Sequence, residues 1–161
     1  MTAALLAAIA GIVGITIGRL WDTRAESSRW RRDQTTTSYQ RVVEQFQVTY
    51  EVIRTIALAE PHTDSFQALV HEARIDAFKP WDSAFAAVWL HGSANVVASA
   101  TALDRAITKL CSDAQERQFT VEDWNQARVP VREAFERFID SARRQLGLPR
   151  APVRFFAELS N

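Results

Sequence analysis

The residues with chemistry to offer are few, and their spacing decides most of what they can do. His71-Glu72 opens like the helical zinc-protease motif, in which a second histidine four places after the first puts two imidazoles on one helix face; the fourth place is Ile75. A di-iron bundle needs Glu-x-x-His pairs, but Glu44 and Glu72 are followed at that spacing by Gln47 and Ile75. The third candidate ligand type, His91, falls at a helix end, where an imidazole serves the last carbonyls or the surface. Cys111 is the only cysteine. It excludes an intrachain disulfide, fits a reducing compartment and, with no nucleophile motif around it, reads as a small apolar residue. There is no glycine-rich phosphate loop and no GxSxG, and Glu133 with Arg137 at i, i+4 is a solvated helix pair. These patterns predict no metal, no cofactor and no enzyme. Trp81, Trp89 and Trp124 suit a packed core; a ligand site would require a tryptophan-lined cavity with polar groups converging on it.

The element that positions everything else is the opening, MTAALLAAIAGIVGITIG. Thr2 to Gly18 is free of charge, about 25 Å of helix against a hydrocarbon core of ~30 Å, and Leu20 and Trp21 extend it. A secretion signal would place a positive charge before the apolar run and a small-residue cleavage site after it, whereas the first basic residue is Arg19 and the sequence continues GRLWDTR. The spacing therefore predicts a retained transmembrane anchor over 1–21. Five arginines, Arg19, Arg24, Arg29, Arg31 and Arg32, follow on one side and none precedes, which predicts an N-terminus outside the plasma membrane and a cytoplasmic C-terminal portion. Trp21 and Trp30 join those arginines as membrane-surface residues. Gly11, Gly14 and Gly18 fall on small-residue stripes, Gly14 and Gly18 at the GxxxG spacing that lets helices approach closely in lipid.

The whole chain is neutral, 19 basic against 19 acidic residues, so binding to nucleic acid by phosphate neutralisation is not expected. Setting aside 19–32, with its five arginines against Asp22 and Glu26, leaves 14 basic and 17 acidic residues elsewhere. Five glycines and five prolines in 161 residues favour helices over turn-rich sheets. A basic juxtamembrane helix or linker is expected over 22–38, with DQTTTS as its softest stretch, and a bundle domain over 39–161.

Within that domain Tyr39, Val42, Phe46, Thr49, Ile53 and Ile56 step by three and four, the coiled-coil-like seam of one helix that ends before Pro61. Thr63 or Asp64 caps a second helix with Phe66, Leu69, Val70 and Ala73 inward; Lys79-Pro80 breaks or bends it, and Trp81, Phe85, Val88 and Trp89 continue an apolar face. HGSAN reads as a tight corner, Gly92 ending one helix and Ser93 capping the next, which buries Val96, Val97, Ala100, Leu103, Ile107 and Leu110. SDAQERQF reads as a polar loop. Thr120 and Asp123 form a capping box before a last helix that is kinked near Gln126 to Pro130 and stops at Gly147. The fold class is all-α: a transmembrane helix continuing into a cytoplasmic antiparallel bundle of four to five helices. The tail, APVRFFAELSN, is expected to fold back on the bundle, with Phe155, Phe156 and Leu159 as possible partner-docking residues.

RLWDTRAESSRWRRDQTTTSYQRVVEQF resembles the start of a loosely defined group of small actinobacterial or actinophage proteins, and WLHGSANVVASATAL and FIDSARRQLGLP are similar to later segments of that group. The resemblance implies a membrane-anchored helical bundle and assigns no activity. Taken together, these readings predict a membrane-tethered interaction or scaffold module. Its partners would be the lipid bilayer and another protein or itself, with no nucleic acid and no small-molecule ligand. The alternative is a phage or prophage defence or superinfection-exclusion protein at the same membrane.

Overall fold

A computed structural model describes the backbone of residues 2–152 and 154–156, and side chains from residue 29 onward within that range. The elements are α1 (Thr2–Leu58), α2 (Asp64–Ala73), a π-helical turn (Arg74–Phe78), α3 (Lys79–His91), α4 (Ala94–Glu116), α5 (Val121–Ala127) and α6 (Val129–Gln145). Among the described residues there is no strand. The chain divides into two compact units, 1–35 and 36–161, where the sequence places the start of the bundle at 39. The apolar opening, Gly11, Gly14, Gly18, Arg19, Trp21 and Arg24 have side chains outside the described residues, so the anchor predicted over 1–21 lies there too. Among the residues that are described, no helix is long and apolar enough to cross a membrane.

The second unit is a four-armed antiparallel bundle, its arms being α1 beyond Thr35, α2 to α3, α4, and α5 with α6. Antiparallel pairing follows from who meets whom. Tyr39 donates its hydroxyl to Gln145 Oε1 at 2.6 Å. Phe46 stacks on Phe135 at 4.0 Å between centroids, and Tyr50 meets Trp124 at 5.3 Å. As α1 ascends, its partners therefore descend. All six seam residues of α1 are buried, in line with their three-and-four spacing. The seam includes Thr49, whose hydroxyl has no partner among the described residues. The free carbonyls at the end of α1 are satisfied from outside the helix: Phe119 N donates to Ala57 O at 2.7 Å, and Gln118 Nε2 to Leu58 O at 3.1 Å.

Caps lie where side-chain chemistry predicts them. Thr63 Oγ1 accepts from Phe66 N, and Thr120 with Asp123 completes a reciprocal capping box. Gly147, at φ 72°, ends α6 with Leu148 N donating to Arg143 O. Gly92 is required for a different reason. Its φ is ordinary, but an added Cβ would lie 2.7 Å from Val88 O. Ser93 stands at the N-cap of α4 without a side-chain cap bond; its backbone N–H goes to Gln145 Oε1 at 2.9 Å, so one amide ties this corner to both α1 and α6.

Four expectations are corrected. Asp33–Ser38 is helical, with Thr35 Oγ1 donating back to Arg31 O at 2.9 Å, a local bond that offsets threonine's low helix propensity. Ser112–Glu116 belongs to α4 and is not loop, because Ala114 extends the buried Leu103, Ile107, Leu110 stripe by another turn. The kink near Pro130 is instead a junction of two helices at Arg128, with Pro130 in the first turn of α6, where its missing N–H costs nothing. Trp89, expected on the apolar face, is 58 % exposed, since Trp81, Ala84 and Val88 fill the inward positions of α3 and residue 89 is turned about 100° past Val88.

Candidate functional site

The site with most to offer is a groove between the α2-to-α3 arm and α4. It encloses about 500 Å³ and is open along one side. Pro80 explains much of its shape. Lacking an N–H, proline cannot accept the usual i−4 bond, and its ring clashes with the carbonyl four residues back. The helix answers with a π-helical turn over Arg74–Phe78, closed by Lys79 N donating to Arg74 O. Such single π turns recur at functional positions because they displace side chains from the regular helical path. Here Arg74 and Phe78 from the turn line the groove beside Val70 and Trp81.

Trp81 is 3 % exposed and supplies the inner wall. Its Nε1 donates to Asp104 Oδ1 of α4 at 2.8 Å, so the indole and the carboxylate fix each other across the two arms. Asp82 shares the groove, and its carboxyl is raised above the ordinary aspartate range by partial burial first and then by the Asp104 charge. On the α4 side the lining is Ile107, Thr108, Cys111, Ser112, Gln115 and Glu116. Burial pushes the Cys111 thiol up, only partly countered by Gln115 Nε2 at 3.1 Å, which keeps the sulfur protonated and a poor nucleophile at neutral pH. Covalent chemistry has no activated group here; what the groove offers is an apolar wall with carboxylates beside it.

The residues singled out from the sequence are scattered. Arg29, Trp30, Arg31 and Arg32 are exposed on α1. His71 is exposed on α2 and His91 half-buried at the end of α3, and among the described residues no three His, Cys, Asp or Glu side chains are grouped to hold a metal ion. Glu133 and Arg137 pair at 3.7 Å on the solvent side of α6. Phe156 is half-buried against Phe46, Tyr50 and Phe135, with the Arg132 guanidinium 4.3 Å from its ring centre and its N–H donating to Glu136 Oε1 at 3.0 Å. Phe155 stays half exposed on Phe135, and Leu159 lies outside the described residues. Of the three tryptophans weighed for a pocket, only Trp81 lines the groove; Trp124 is core and Trp89 faces solvent.

Sequence reasoning missed Asp82 and Asp104, which stand 22 positions apart in sequence and become neighbours only when α3 turns back on α4. Lys79-Pro80 was the one local signal, as a break in helix geometry. The fold defines the class, an all-α antiparallel bundle. No family model matches the chain, and neither a curated protein nor a solved structure is similar to it.

Proposed function

We propose that this protein is a membrane-tethered helical interaction module at the inner face of the plasma membrane, anchored through residues 1–21 with the bundle on the cytoplasmic side. The carrying observation is the uncharged run Thr2–Gly18 with five arginines following it and none before. The exposure of Arg29, Trp30, Arg31 and Arg32 supports the reading, because residues meant for headgroups must be free of the bundle core. The bundle supplies the binding surface, and its groove is the place where a partner has both apolar and charged groups to meet.

Two measurements test the proposal. Alkaline carbonate extraction should leave the chain in the membrane pellet and release it once residues 2–18 are deleted. A C-terminal alkaline phosphatase fusion should be inactive while a C-terminal green fluorescent fusion is bright; the reverse pattern would discard the orientation. A phage-exclusion role would use the same tether and would show itself as blocked DNA entry in cells expressing the chain.

A further inference from the structure

The groove joins two surfaces of opposite kind. Its wall is hydrocarbon and indole, from Val70, Phe78, Trp81 and Ile107. Beside that wall stand Asp82 from α3 and Asp104 from α4, with Glu116 and Arg74 as the other charged groups of the lining. None of these four takes part in an ion pair among the described residues, all of whose pairs lie elsewhere. Three carboxylates thus face one guanidinium. Two neighbouring carboxylates without a counter-ion repel each other, and a cation placed between them relieves that repulsion. A bare metal ion would find too few ligands and would waste the apolar wall. An enclosed volume of about 500 Å³ lies in the range of small-molecule sites, in which most of the lining is apolar and a few polar groups set orientation.

We propose that the groove between the α2-to-α3 arm and α4 binds a small organic cation, its ammonium or guanidinium held by Asp82 and Asp104 and its apolar body laid on Phe78, Trp81 and Ile107. The bond from Trp81 Nε1 leaves the rest of the Asp104 carboxylate for the ligand and holds it in place, so the site is assembled before the cation arrives. This deepens the reading of the bundle as a binding module and replaces the expectation that no small molecule has a place in it. The membrane address plays no part in it.

The test is titration calorimetry on the full chain in detergent micelles, with empty micelles subtracted and phenethylamine as probe. Its neutral analogue, 2-phenylethanol, offers the same ring without the charge. Phenethylamine should bind saturably and the alcohol about tenfold more weakly or worse, the worth of one charge-assisted contact. Asp82→Asn should weaken the amine by about tenfold while raising the unfolding temperature, because it removes both a ligand contact and a repulsion. Loss of binding through damage to the fold would move both readouts down together. Thr108→Trp, at an exposed position of the lining, should fill the groove and abolish binding with unfolding unchanged. Equal affinity for amine and alcohol, full amine affinity in either variant, or no saturable binding by the folded chain would each overturn the proposal. Failure of the membrane reading appears separately, as release of the chain by carbonate.

Discussion

Thr49 sits fully buried in the α1 seam with a hydroxyl that no described group meets. A valine has nearly its shape and no hydrogen bond to lose, and a buried unsatisfied hydroxyl costs about 1–3 kcal/mol. Thr49→Val is therefore expected to raise stability by about 1 kcal/mol or more in urea denaturation. A loss of stability instead would reveal a partner for the hydroxyl. Asp82 makes a second case, and its sign is opposite to the usual aspartate. Its folded pKa is raised, so the native state binds its proton more tightly than the unfolded chain does. The group favours folding below the ordinary aspartate range and opposes it as pH rises through its folded pKa. Asp82→Asn should accordingly stabilise the protein at neutral pH, and the gain should vanish in acid, where both carboxyls are protonated; urea midpoints across pH measure it.

At the scale of elements, caps and ends decide where helices stop. Thr120→Ala removes the hydroxyl that Asp123 N uses and half of the reciprocal box, and is expected to cost about 1 kcal/mol. Asp123 works in the ordinary direction: its bonds to Thr120 lower its pKa, so its contribution is present above the ordinary aspartate range and disappears as pH falls through the folded value. The stability of Thr120→Ala should thus depend less on acid pH than that of the unaltered chain. The last segment is held by rings. Phe156 touches Phe46, Tyr50 and Phe135 and lies under Arg132, so Phe156→Ala should cost about 1–2 kcal/mol and leave the 149–156 stretch open to limited proteolysis.

Much of this level was legible in the sequence, because caps and seams are local. Thr63, Thr120 and Gly147 announce themselves by residue type at helix ends, and the Tyr39 to Ile56 seam by its spacing. Ser112–Glu116 was misread because polar composition resembles a loop, while Ala114, the residue that keeps the stripe in phase, carries little weight in a hydropathy reading. Trp89 was misplaced by counting its size and not its angle. Of the groove, only Lys79-Pro80 was visible; pairing Asp82 with Asp104 depends on how two arms cross, which no local pattern encodes.

For the whole molecule the informative division is between unit 1–35 and unit 36–161. The second holds a continuous core from Tyr39 to Ala142 and closes the ends of α1 with its own Gln118 and Phe119. Expressed alone, 36–161 is expected to stay in solution without detergent and to unfold in one transition whose midpoints by circular dichroism and tryptophan fluorescence coincide. Separate midpoints would show that the core depends on what precedes Thr36. Finally, the π-helical turn makes chain length itself part of the design. Deleting one residue anywhere in Arg74–Phe78 would let the backbone relax to ordinary winding and swing everything after it by roughly 100°. Trp81 would rotate off α4 while Phe66 stayed put, so in this stretch an indel is a harsher mutation than almost any substitution.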